Sequence, residues 1–285
     1  MKRNGGGAKV DLKTLIDTPP WDWPGDAGKM FQKILNDRRA RESDRLVAAE
    51  LAGDFTVIND DLADALMAII RHTDEPEKLR ARAAISLGAV LEQADTDGFE
   101  DPDEVPISER TFHHLQDTLY WLYLDDSNPK EVRRRILEAS VRAPEDWHHN
   151  AISAAYSSGD KDWMLTAVFS MRWVRGFDHQ ILEALKSADP EIHCQAVNAA
   201  GNWELDAAWP PIVALLNDAD TPKPLLLAAI GAAASIRPQE VGEILIDLAA
   251  SDDEEIAEAA DEAIAMSEPT SDEDDDENDV SEWIN

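Results

Sequence analysis

The sequence predicts an all-α, right-handed solenoid of about seven stacked helix pairs. Three observations lead there. A twelve-residue pattern recurs about every 30 residues, a second apolar-periodic stretch precedes each copy, and strand signals are nearly absent. No sustained period-two alternation occurs, and no Asn-Gly or Asp-Gly turn joins two apolar runs as a hairpin would require.

Six segments align without gaps: 79–90, 132–143, 163–174, 192–203, 225–236 and 256–267, with starts 53, 31, 29, 33 and 31 residues apart. A looser seventh copy, 43–54, starts 36 residues before the first of them. Each of the six opens on an apolar residue and carries alanine or another compact or aliphatic residue near its middle. Small residues there let successive helices approach closely. Upstream stand Glu75-Pro76, Asn128-Pro129, Asp189-Pro190, Thr221-Pro222 and Lys223-Pro224. Proline suits a first helical turn, and Asp or Asn can cap it, so each motif starts a helix.

The partner helix of each pair is expected before it, at 27–36, 60–72, 108–124, 146–157, 178–186, 206–216 and 239–250. Leu62, Leu66, Ile69 and Ile70 share one face at helical spacing, as do Ile181, Leu182 and Leu185. A lone pair cannot bury its own apolar face; stacking on the next pair does. The array thus covers 27–267. Outside it lie residues 1–26, where Pro19-Pro20-Trp21-Asp22-Trp23-Pro24 reads as an irregular cover over the first pair. An acidic insertion at 93–106 and a disordered acidic tail at 268–285 complete the division.

Asp189-Pro190-Glu191-Ile192-His193, followed by Ala196, Ala199 and Ala200-Gly201, resembles the second helix of a HEAT repeat. Leu79-Arg80, Ala83, Ala84 and Leu87-Gly88 is similar to the short bacterial HEAT-like type, the type also found in bilin lyases. The resemblance implies an architecture and not an activity, since such repeats serve adaptors, lyases and DNA-repair enzymes alike. HEAT repeats usually place Arg after the opening aliphatic residue. Met164, His193, Leu226 and Ala257 stand there instead, which counts against an inter-repeat Arg–Asp ladder.

Charge bounds the partners. The formal net charge is −33, and residues 271–285, with eight acids and no base, account for only −8 of it. A body this acidic repels phosphate backbones and anionic membranes, so neither nucleic acid nor a membrane is expected as a partner; a basic protein is. One cysteine, Cys194, excludes an intramolecular disulfide and a cysteine zinc cluster. Gly5-Gly6-Gly7 follows Met1-Lys2-Arg3 where a secretory signal would be apolar, and the reading is cytoplasmic.

No catalytic constellation stands out, and neither a cofactor nor a metal is expected. Gly25-Asp26-Ala27-Gly28-Lys29 lacks the first glycine and the Ser/Thr of a phosphate loop. His113, Asp117 and His148-His149 could approach a zinc geometry on neighbouring helices but read as caps and surface residues. Asp95-Thr96-Asp97-Gly98 has its glycine two positions too early for a calcium loop. Cys194 reads as a small core residue.

The expected function is a non-enzymatic protein-binding scaffold using the concave face. A HEAT-like lyase or cofactor-handling enzyme, and an acidic mimic of nucleic acid, are the alternatives. Candidate protein-binding residues are Arg133, Arg134 and Arg135, Trp173 between Arg172 and Arg175, and Trp283 and Ile284 in the tail. The arginines could receive an acidic peptide, a phosphate or the tail; the other reading is a helix face balancing Glu131 and Glu138.

Overall fold

The computed structural model describes residues 12–101 and 105–267. Every regular element among them is helical. They fall into two compact units that divide between Phe177 and Asp178.

In the first unit, α1 (Leu12–Ile16) and a 3-10 turn at Pro20–Asp22 precede the array. The prolines bar an α-helix there but permit this tight turn. Leu15 is buried against α3 (Glu42–Leu51), which pairs with α2 (Ala27–Asn36). The Trp23 indole N–H donates to the Thr18 carbonyl at 2.8 Å, and its ring meets Phe31 edge-on at 5.5 Å. Residues 12–26 of the segment expected to be irregular are therefore a folded brace.

The second pair is α4 (Asp60–Arg71) with α5 (Glu77–Ile85). The predicted segment 79–90 is not one helix: it breaks at Ser86-Leu87 and resumes as α6 (Gly88–Asp97). Ser86 Oγ donates to the Arg82 carbonyl at 2.9 Å, a back-bond that weakens a helix locally. Helix α6 therefore runs into the predicted insertion and stops at Gly98, whose φ of +69° suits glycine. Then come α7 (Glu109–Leu124) with α8 (Lys130–Ser140), and α9 (Asp146–Tyr156) with α10 (Lys161–Ser170).

The second unit holds three pairs: α11 (Asp178–Ala184) with α12 (Pro190–Asn202), α13 (Trp209–Asn217) with α14 (Lys223–Ile236), and α15 (Pro238–Ala249) with α16 (Glu254–Ser267). A 3-10 turn, Asp206–Ala208, leads into α13. In each unit the second helices pack on one another more closely than the first helices do, so they line the inner face.

The residues before the prolines divide by role. Asp189 caps α12, accepting from the Glu191 and Ile192 N–H groups at 3.1 and 3.2 Å. Glu75 and Asn128 cap nothing. Their side chains accept the guanidiniums of Arg45 and Arg80 from the preceding pair. Each arginine also reaches back ten residues to the last turn of its partner helix: Arg45 to the Leu35 carbonyl, Arg80 to Ile70, Arg133 to Tyr123, at 2.8–2.9 Å. Rungs between pairs thus run from Arg45 to Glu75 and from Arg80 to Asn128, whereas Arg133 pairs with Asp126 of its own helix pair and Met164 stands at the next position. The geometry of the rungs shifts the looser first copy by one residue, so that Arg45 corresponds to Arg80.

A second kind of rung uses lysine. Lys130 pairs with Asp160, the cap of α10, at 3.1 Å, and Lys223 with Asp253, which caps α16, at 2.7 Å. Glycine sets the closest approaches. A Cβ on Gly53 would lie 2.3 Å from the Ser86 carbonyl, and one on Gly201 would lie 2.7 Å from the Ala232 Cα.

Candidate protein-binding surfaces

On the inner face of the first unit, α3, α5 and α8 enclose a groove of about 420 Å³. Leu46, Val47 and Ala81 form its apolar part, and Glu50, Arg82 and Arg135 its charged part. A neighbouring cavity of about 410 Å³ shares Glu50 and Ile85 with it and is closed by the brace at Leu15 and Ile16. Ile16 and Phe55, both exposed, stand at this second cavity. Glu50 and Arg82 approach to 3.6 Å across the boundary, both about half exposed, so this pair is weak and can yield to a ligand.

The three adjacent arginines do not form one patch. A helix turns about 100° per residue, so they meet three different neighbourhoods. Arg133 lies over the rings of Tyr123 and Trp163, 5.4 and 5.9 Å from their centroids, and pairs with Asp126 at 2.7 Å. Arg134 is buried; its Nε donates to Thr166 Oγ1 at 2.9 Å and its Nη1 to Glu131 at 2.8 Å. Arg135 lines the groove and pairs with Glu131 and Glu138 at 2.8 and 2.6 Å. The Thr166 hydroxyl in turn donates to buried Glu138 at 2.6 Å, joining α8 to α10. Arg134 and Arg135 thus pair with Glu131 and Glu138, and Arg133 with Asp126.

Trp173 is half-buried just past α10. Its indole N–H donates to Glu92 on α6 at 3.4 Å, while Arg142 pairs with the same carboxylate at 3.1 Å. Two guanidiniums, Arg142 and Arg172, sit 5.1 and 5.0 Å from its ring centroid. Trp173 therefore ties three helices together. Trp283 and Ile284 lie outside the described residues.

Sequence reasoning did not join the aromatic residues of α7, α9 and α10 into one ladder. Trp121, Tyr120, Trp147, Tyr123 and Trp163 follow one another with ring centroids 5.3, 5.3, 5.1 and 6.3 Å apart. Its signals were the run Tyr120-Trp121-Leu122-Tyr123-Leu124 and the tryptophans Trp147 and Trp163 of the following repeats, which read equally well as core. Trp121 is 67% exposed and Leu124 46%.

The histidines do not converge. His148 is fully buried: the Glu145 N–H donates to its Nδ1 at 2.8 Å, which places the ring proton on Nε2, 3.0 Å from Ser140 Oγ. His113 is exposed and meets Gln116 and Glu109 on its own helix. Among the described residues no group of three His, Cys, Asp or Glu side chains is placed to hold a metal ion. The Cys194 thiol is half-buried and lies 3.8 Å from the Pro224 carbonyl.

Charge separates along the chain in a way the total hides. Residues 178–267 hold eighteen acids and three Lys or Arg, a net of −15, whereas 23 of the 26 bases lie before Asp178. Two of those three are already paired: Lys223 with Asp253 and Glu255, Arg237 with Asp206 and Glu240. On α16 alone Glu254, Glu255, Glu258, Asp261 and Glu262 are exposed.

Residues 179–265 match the family model for HEAT repeats. That stretch is similar to HEAT repeats, and the described residues form an all-α fold of the solenoid type. No curated protein sequence matches it. Among solved structures, human deoxyhypusine hydroxylase in complex with glycerol aligns over 90% of this chain and 88% of its own, at 15% identity and a TM-score of 0.39. An engineered protein aligns over 86% and 97% respectively, at 18% identity and a TM-score of 0.33. Likenesses of that degree carry nothing about activity. Among the described residues no helix is long and apolar enough to cross a membrane.

Proposed function

We propose that this protein is a non-enzymatic, cytoplasmic scaffold that holds a basic protein partner along the acidic repeats of residues 178–267. The observation that carries the reading is the eighteen-to-three excess of acids there, with Lys223 and Arg237 already consumed by internal pairs. Exposed carboxylates in such excess focus a negative field, which speeds encounter with a cationic surface and repels nucleic acid and anionic lipid. The inner groove of the first unit, with its apolar floor and exchangeable Glu50–Arg82 pair, suits a second, less charged contact with the same partner.

The test is cross-linked capture with two baits, the full chain and a variant carrying Glu254→Gln, Glu258→Gln, Asp261→Asn and Glu262→Gln. A partner of high isoelectric point, held by the full chain, weakened by the variant and released by salt, is the expected result. Partners that are acidic, indifferent to salt and held equally by both baits would sink the reading.

A further inference from the structure

The aromatic ladder ends in two different ways. At one end the guanidinium of Arg133 lies over Tyr123 and Trp163 while Asp126 pairs with it at 2.7 Å. At the other end are Tyr120 and Trp121, with ring centroids 5.3 Å apart, and no cation among the described residues lies over Trp121. Its indole N–H has no partner among them either.

Like the rings under Arg133, Trp121 has carboxylates near it, although Asp125 also accepts from the Ser127 N–H at 2.9 Å and feels the charges of Arg133 and Arg80. Asp117 stands one helical turn before Trp121 on the same face of α7, and Asp125 one turn after, at the helix end. Both are exposed. Hydrogen bonds from Ser127 hold the Asp125 carboxyl below the usual carboxylate range, so it is charged at neutral pH. Exposed Leu124, three residues after Trp121 on the same helix, offers an apolar strip to a side-chain stem.

We infer that Trp121 and Tyr120, flanked by Asp117 and Asp125, form a site that takes an arginine side chain from a protein partner. The guanidinium would stack on the indole as Arg133 stacks on Tyr123, with a carboxylate pairing at its edge. Arginine suits the site better than lysine because its planar group is more weakly hydrated and stacks on rings. The inference shares with the scaffold reading the premise that the partner is basic, but it concerns a different surface and fails separately.

The experiment follows the indole N–H resonances of the full chain during titration with a blocked Gly-Arg-Gly-Arg-Gly peptide. Matching lysine and citrulline peptides serve as comparisons, and Trp121→Phe assigns the resonance. The Trp121 signal should move most, arginine should bind about three- to tenfold tighter than lysine, and citrulline should not bind. Trp121→Ala should abolish the arginine preference without changing the melting temperature, since the ring is largely exposed. Asp117→Asn should weaken both cationic peptides. Movement of another indole in place of Trp121, or an arginine preference that survives Trp121→Ala, overturns the site. The variant neutralised on α16 separates the two readings. If it loses the captured partner while Trp121→Ala keeps both partner and peptide, the scaffold stands and the arginine site falls. If the Trp121 resonance responds in both proteins but capture does not depend on α16, the reverse holds.

Discussion

At the scale of the residue, His148 has the most to lose from a change of pH. It is fully buried on α9, and burial pushes its pKa down from 6.5 to about 4. Because the folded value lies below the unfolded one, the unfolded chain takes up a proton in that window that the folded chain refuses. Its contribution to stability is therefore complete above pH 6.5 and is lost as pH falls towards 4, a loss on the order of 2–3 kcal/mol. His193, lowered by burial, acts in the same sense. Glu75, held low chiefly by its hydrogen bond from Arg45, loses its contribution only below its ordinary 4.5. Asp95, raised by burial, works in the opposite sense just above 3.8. Urea unfolding at pH 7, 6 and 5 should show a steady fall for the natural chain. His148→Gln should be less stable at pH 7 and flatter across the range; parallel slopes would assign the fall elsewhere. Adjacent His148-His149 was visible in the sequence, but which ring is buried was not, since neighbouring residues on a helix face different surroundings.

At the scale of the element, spacing between stacked helices rests on single glycines. Gly201 on α12 has the backbone of α14 where its Cβ would be, 2.7 Å away at Ala232. Gly201→Ala must push the two helices apart and should cost about 1–3 kcal/mol. Gly231, in the middle of α14, has nothing within 4 Å of a Cβ, so Gly231→Ala should gain about 0.5–1 kcal/mol from helix propensity alone. Chemical denaturation of the two variants decides the matter, and equal effects would mean that packing at Gly201 yields easily. The predicted segment 192–203 already contained Ala199, Ala200 and Gly201, and the need for small residues was legible there. The break in 79–90 was not, because Ser86 and Leu87 are both compatible with a helix.

At the scale of the whole molecule, a net charge of −33 opposes compaction. Raising salt from about 10 to 150 mM shortens the Debye length from roughly 30 to 8 Å and should raise the melting temperature. The same screening weakens exposed pairs such as Lys130–Asp160, but those contribute little individually, so relief of repulsion should prevail. A melting temperature that falls with salt would show the rungs outweighing the repulsion. The total charge was legible from composition. Its concentration after Asp178 becomes meaningful only with the division of the fold at that point.

The sequence by itself determined most of the helices and the acidity, but not the break after Ile85 that starts α6. Periodicity, proline punctuation and composition act within a turn or two of chain, and helix 27–36 could be drawn from them to the residue. Tertiary structure decided what each polar side chain meets. Arg133, Arg134 and Arg135 are neighbours in sequence and strangers in space, because a 100° turn per residue sends them to a ring pair, a buried threonine and an open groove. The aromatic ladder shows the converse. Residues from Tyr120 to Trp163 lie up to 43 positions apart, and only the stacking of α7, α9 and α10 brings them into one row.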